Sequence, residues 1–390
     1  VDANALRLLI GEIQFDKLKD VFLATKAGKA ILDSGSSDIL VLSRLNQLFL
    51  RMEDFEHASV SELQLLQLEQ DDADKIRRYY SLADLYLLRL DNPEQARECY
   101  ESIIDLDDAD LKAFGSLREL YRTAEHWSDL RELDEEFVHR VADGDRYEVL
   151  VEIRDVLTDK LFELELGFIA ACRVYNEEPK SLAAAEVLEK LALSTDSAEE
   201  AAAVLEDENE RVEDPSTRVQ LLLQIGRLYA EEVSDTPSAE EVYQRVLSLD
   251  DVNLRALDML SRLAAGEERF DKQLAALEKK ILVVDDPQEK KEILFQIGRI
   301  WRDEVEDTDN ALGVYQRILA IDPQELRALD ALSSLYEAEG LYVELALILS
   351  RQVDFVGDPE REILLRLKIA KLCEEELEDH PEAIKWYSSV

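Results

Sequence analysis

The same residue types return every 72 positions along this chain, in register, over most of its length. Ile225, Ile297 and Ile369 mark three successive copies, and Tyr243, Tyr315 and Tyr387 each follow their isoleucine by 18. Counting back from Ile225 by 72 and then 71 reaches Ile153 and Leu82, and Tyr100 again lies 18 beyond Leu82. A fixed period of this size means one structural unit copied along an axis, each copy burying its apolar face against its neighbours. The 390 residues are therefore read as one continuous array and not as two or three globular domains. The chemistry expected of such a chain is that of a surface, not of a pocket.

The 12 Gly and 8 Pro are few for this length, and Leu, Ala, Glu, Asp and Arg dominate, so nearly all of the chain is expected to be helix and none of it strand. Each unit divides into two helical hairpins of about 36 residues. In the copy from Ile293, one helical face carries Ile293, Ile297, Ile300 and Trp301, and a facing stripe carries Ala311, Val314, Tyr315, Ile318 and Leu319. Two such stripes joined by a short polar turn make an antiparallel pair. Small residues beside large rings, such as Gly298 and Tyr315, let the two helices pack closely, and losing a fully buried ring costs ~3–5 kcal/mol.

These residues resemble the tetratricopeptide repeat family, in particular its long bacterial-type arrays. Ile297, Gly298, Trp301, Ala311, Tyr315 and Pro323 follow the family pattern; Ile225, Gly226, Tyr229, Ala239 and Tyr243 repeat it, as do Ile369, Ala370, Cys373, Ala383 and Tyr387. The second hairpins match more loosely, through Leu332, Ser333, Tyr336, Gly340, Tyr342 and Leu345. The resemblance covers residues 38 to 390 and implies an all-α fold, an α-solenoid of stacked antiparallel helix hairpins coiled as a right-handed superhelix. The expected layout is a helical N-terminal segment or capping repeat at 1–37, a hairpin at 38–81, and units at 82–152, 153–224, 225–296 and 297–368, with a truncated repeat at 369–390.

Two departures from the pattern bear on geometry. The first hairpins carry one residue more than usual between their small residue and their Ala, which predicts longer turns. In the copy from Ile153, Arg154 stands in the small position and Ala171 in that of the ring, so the register slips there, the array bends, or the irregularity is tolerated without either.

Against 45 Lys and Arg stand 88 Asp and Glu, a formal net charge of −43, which argues against direct binding to nucleic acid. At 46% hydrophobic content the chain is not disordered, so the acidity belongs to a folded surface. Acidic residues recur after each first helix: Glu231, Glu232 and Asp235 align with Asp303, Glu304 and Asp307, and with Glu375, Glu376 and Asp379. Equivalent positions stack in an array, so these form an acidic ladder along one edge. Carboxylates at a helix C-terminus oppose the helix dipole. On the first helices Arg227, Arg299 and Lys371 recur in phase, with Arg255, Arg327, Asp258 and Asp330 nearby, giving a groove of mixed sign suited to a helical or extended peptide. Leu223 and Phe295, with the arginines after them, do not reproduce the Lys and Asn clamp by which some family members hold a peptide carboxylate.

Cys99, Cys172 and Cys373 are too few and too scattered for disulfides or a metal site, and Cys373 replaces the ring held by Tyr86, Tyr229 and Trp301, as a buried filler. Three free thiols suit the cytoplasm. His57, His126, His139 and His380 have no partner at metal-ligand spacing, phosphate-binding and nucleophile-elbow motifs are missing, and the acidic run from Glu206 to Glu210 reads as solvated helix and not as a calcium loop. No apolar stretch long enough to span a membrane is present, and a start at Val1 with a stop inside a repeat leads us to expect further sequence at both ends. The expectation is a non-catalytic scaffold or adaptor that needs no cofactor and binds a protein, basic or presenting a helical or extended peptide. The alternatives are a regulatory or substrate-docking arm of a larger enzyme, and an acidic chaperone or decoy for basic proteins.

Overall fold

The computed structural model describes residues 3–390, and among these the regular structure is helical throughout, without a strand. The chain forms two compact units, one running to Glu178 and including Glu186–Thr195, the other made of Pro179–Ala185 and Asp196–Val390.

In the first unit the hairpins are α1 (Ala3–Asp16) with α2 (Val21–Asp33), α3 (Ile39–Arg51) with α4 (Phe55–Leu68), and α5 (Asp72–Leu88) with α6 (Pro93–Leu106). They continue with α7 (Leu111–Thr123) and α8 (Trp127–Phe137), then α9 (Asp143–Asp155) and α10 (Leu164–Glu177). Helix α11 (Leu182–Thr195) carries residues of both units. The second unit begins with α12 (Ala198–Asn209) and α13 (Pro215–Arg227), the latter paired with α14 (Thr236–Leu249). Then come α15 (Leu254–Gly266) with α16 (Phe270–Val283), α17 (Pro287–Arg299) with α18 (Thr308–Ile321), α19 (Leu326–Ala338) with α20 (Tyr342–Phe355), and α21 (Pro359–Glu375) with α22 (His380–Ser388). Within each unit the second helix of one hairpin packs on the first helix of the next, so the hairpins stack in chain order as in a helical solenoid.

Local sequence explains where the helices begin. Asp38, Asp71, Asn92, Asp110, Asp214, Asn253 and Asp286 each sit just before a helix with the side-chain oxygen accepting a backbone N–H of its first turn. Proline opens α6, α13, α17 and α21, where its missing N–H is not needed. The turns inside hairpins place one residue in the left-handed region. Gly340 (φ +68) is suited to this, whereas Glu306 (φ 57) and Glu378 (φ 53) hold it against the clash of their own Cβ.

The two hairpins of a unit are unequal, unlike the even division read from the sequence. Helices α17, α19 and α21 begin at Pro287, Leu326 and Pro359, so the step to the next hairpin is first longer and then shorter than half a period. The extra residue of the first hairpins does not lengthen a turn either. It is taken up inside the first helix as a π-helical stretch, Val156–Lys160, Leu228–Val233 and Ile300–Glu304 in three successive copies.

The periodic positions form the core. Ile297, Ala311 and Ile318 are fully buried, and Tyr315 is 2% exposed. Gly226 and Gly298 are there to receive a ring: a Cβ would lie 2.7 Å from Cζ of Tyr243 and 2.8 Å from Cζ of Tyr315 respectively. In the copy from Ile153 the register does not slip, because α10, α14 and α18 start at Leu164, Thr236 and Thr308, in each case at the same offset from the isoleucine of the copy. The small residue has changed sides instead. Gly167 of α10 now accommodates Thr158 from the π-helical stretch, with a Cβ position 2.5 Å from its Cγ2, while Arg154 turns to pair with Asp155 at 2.6 Å. Tyr387 differs from its equivalents: it is 40% exposed and donates a hydrogen bond to Glu374 at 2.9 Å.

Candidate partner-binding surface

The first helices of the second unit display the candidate residues in two groups. Arg227, Arg299 and Lys371, on or beside the last turns of α13, α17 and α21, are all exposed, as is Arg255 at the start of α15. Among the described residues Arg255, Arg299 and Lys371 form no salt bridge. The others are tied within the chain. Arg327 pairs with Glu292 at 2.7 Å and lies 4.1 Å over the ring of Phe295. Asp330 accepts from Arg361 at 2.6 Å and from Gln352 at 2.7 Å. Asp258 is held by Lys280 at 2.7 Å. Glu292–Arg327 and Asp330–Arg361 thus bridge successive first helices, α17 to α19 and α19 to α21. Arg327 holds the Glu292 carboxyl below the usual carboxylate range.

The acidic ladder also divides. Asp235, Asp307 and Asp379 cap α14, α18 and α22; Asp307 accepts from the backbone N–H of Asn310 at 3.0 Å, and that bond pulls its pKa down. Asp303 is clasped by both guanidinium arms of Arg302, at 2.6 and 2.8 Å, which lowers its pKa as well. Glu231, Glu232, Glu304, Glu375 and Glu376 remain exposed carboxylates.

Three arrangements escape a reading of local pattern. On the second helices Glu206 pairs with Arg245 and Glu278 with Arg317, two bridges set one full period apart; period alone could have found them. Lys291, buried in α17, donates to Asp322 and Glu325 at 2.8 Å each, tying the α18–α19 turn to the helix before it. In the first unit Asp134, fully buried, accepts from Arg118 at 2.5 Å, while Arg118 and Arg122 both reach Glu152 beside a cavity of about 500 Å³. Burial pushes the Asp134 pKa up to about 7, against the pull of Arg118.

Cys373 is packed in the core among Leu372 and Ala383, and burial raises its pKa; Cys99 is likewise buried, with its pKa pushed up to about 12. Among the described residues no three metal-ligating side chains converge, and no helix is long and apolar enough to cross a membrane.

Residues 76–110 match the family model of the tetratricopeptide repeat. That stretch holds Leu82, Ala83, Tyr86, Ala96 and Tyr100, all buried, in the α5–α6 hairpin. No curated protein matches the chain. Among solved structures, the crystal structure of MamA protein is similar at 16% identity, covering 54% of this chain and 92% of that one, with a TM-score of 0.28. Residues 76–110 thus match one tetratricopeptide repeat, and small-against-ring packing of the same kind returns at Gly226 and Gly298.

Proposed function

We propose that the chain is a non-catalytic scaffold that binds a protein partner along the first helices of its second unit. The observation that carries this reading is the row of exposed cations, Arg299 and Lys371 in phase with Arg227, and Arg255 beside them. Although the chain has 88 acidic against 45 basic residues, Arg255, Arg299 and Lys371 form no salt bridge among the described residues, which leaves their charges open to a partner. The partner presents acidic groups to this row and basic ones to Glu231, Glu304, Glu375 and Glu376, as a helix or an extended segment with both signs would.

Two hairpins of helices about 8–10 Å apart separate successive clusters, which sets them roughly 20 Å or more apart, beyond the Debye length of ~8 Å at physiological salt, so each acts locally and a partner must touch several to gain affinity. To test this, a photo-crosslinking residue is placed at Arg299, at Glu304 and, as a control, at Glu278 on the second helices. One protein captured at the first two sites and lost on Arg299→Glu with Lys371→Glu supports the reading. Equal capture at Glu278 refutes it, and capture of many unrelated cationic proteins identifies an acidic chaperone instead.

A further inference from the structure

The period that builds the core also shows where it is incomplete. At the 39th residue after the isoleucine or leucine marker two copies carry tyrosine, Tyr121 and Tyr336, and two carry alanine, Ala192 and Ala264. Both tyrosine rings are buried, 8% and 7% exposed, and each phenol bonds the residue 20 before it: Tyr121 donates to Glu101 at 2.9 Å, and Gln316 donates to Tyr336 at 3.0 Å. In the copy from Ile225 the ring is gone, and the residue at the place of Ile348 has shrunk too, to Ala276. The result is a cavity of about 220 Å³ between α14, α15 and α16, with Ala264 and Ala276 in its wall. Gln244, which stands where Gln316 stands, also lines it, beside Glu240 and Lys279. A cavity of about 150 Å³ already accepts benzene, so the space takes a phenol ring.

We propose that this cavity is a socket for a tyrosine side chain presented by a partner protein. The ring takes the place that Tyr336 fills one unit later, against Leu257, Leu260 and Leu247, and its hydroxyl meets the Gln244 amide as Tyr336 meets Gln316. Ring anchors in desolvated pockets are the usual energetic centres of protein interfaces. Lys279 at the rim is exposed, whereas Lys272 is already held by Glu240 at 2.6 Å; an acidic residue next to the tyrosine would meet Lys279. The socket is formed mainly by second helices and goes beyond the first-helix row, so either can fail without the other.

The probe is p-cresol, the tyrosine side-chain analogue, titrated into the full chain labelled at its alanine methyls. Saturable shifts of the Ala264 and Ala276 signals with Kd of about 1 mM are expected, as for a small fragment in a pocket of this size. Ala264→Tyr, which refills the socket from within, should raise Kd at least tenfold without lowering Tm; Ala276→Ile, read by the same titration, gives a second and smaller block. Toluene should bind more weakly than p-cresol, and Gln244→Leu should remove that difference. No saturable shift up to about 10 mM, ten times the expected Kd, overturns the proposal, and so does unchanged binding in both filled variants or equal binding of toluene in the unaltered chain.

Discussion

Adding one methyl group at Gly298 puts the ring-over-glycine packing to a quantitative test. A Cβ there would lie 2.8 Å from Cζ, 3.0 Å from Cε1 and 3.2 Å from Oη of Tyr315, whose ring is 2% exposed. Gly313, on α18 of the same hairpin, would place its Cβ against nothing within 4 Å. Alanine gains about 0.8–1.0 kcal/mol over glycine inside a helix. Gly313→Ala should therefore stabilise by about that amount. At Gly298 the same gain is opposed by overpacking of about 1–3 kcal/mol, so the variant should be neutral to about 2 kcal/mol less stable. Because arrays need not unfold in one step, the measurement is native-state hydrogen exchange of the α17 and α18 amides. Pairing Gly298→Ala with Tyr315→Leu should recover stability relative to the sum of the single changes, with a coupling of about 0.5–3 kcal/mol. If Gly298→Ala stabilised the hairpin as much as Gly313→Ala, the ring would not be pressing on the glycine, and the account of the repeat core would fail.

Glu306→Gly should stabilise the α17–α18 turn by up to about 1 kcal/mol in the same exchange experiment, because glycine holds a positive φ without a Cβ clash. Asp307→Ala should lower the thermal stability of this hairpin while Glu304→Gln leaves it unchanged, which separates the capping carboxylate from the free rung; since the folded pKa of Asp307 is depressed, its stabilisation is present above the ordinary carboxylate range and lost as pH falls through the folded pKa. Asp134 has the opposite sign. Its folded pKa of about 7 lies above the unfolded value of about 3.9, so the fold binds the proton more tightly and the first unit should gain stability as pH falls from 7 toward 4. Asp134→Asn should flatten that slope in urea titrations run across the range, and an unchanged slope would contradict it.

What the sequence by itself determined is the architecture of burial. Positions such as Ile225, Ile297, Tyr243 and Tyr315 recur because every copy meets the same neighbours, so a one-dimensional period carries the core directly, and Asp or Asn before a helix announces its start through a contact within a single turn. The tertiary structure alone decided how side chains a hairpin apart meet. It engaged Arg327 with Glu292 and Asp330 with Arg361, moved the extra residue from a turn into the Ile300–Glu304 π-helical stretch, and transferred the small residue of the copy from Ile153 to Gly167. The space beside Ala264 belongs to the same class: a missing ring is visible in the period, but whether neighbours collapse into the gap depends on packing in three dimensions. Ion pairs and cavities depend on distances of a few ångströms between side chains a whole hairpin apart in the chain, and the spacing of residue types does not encode them.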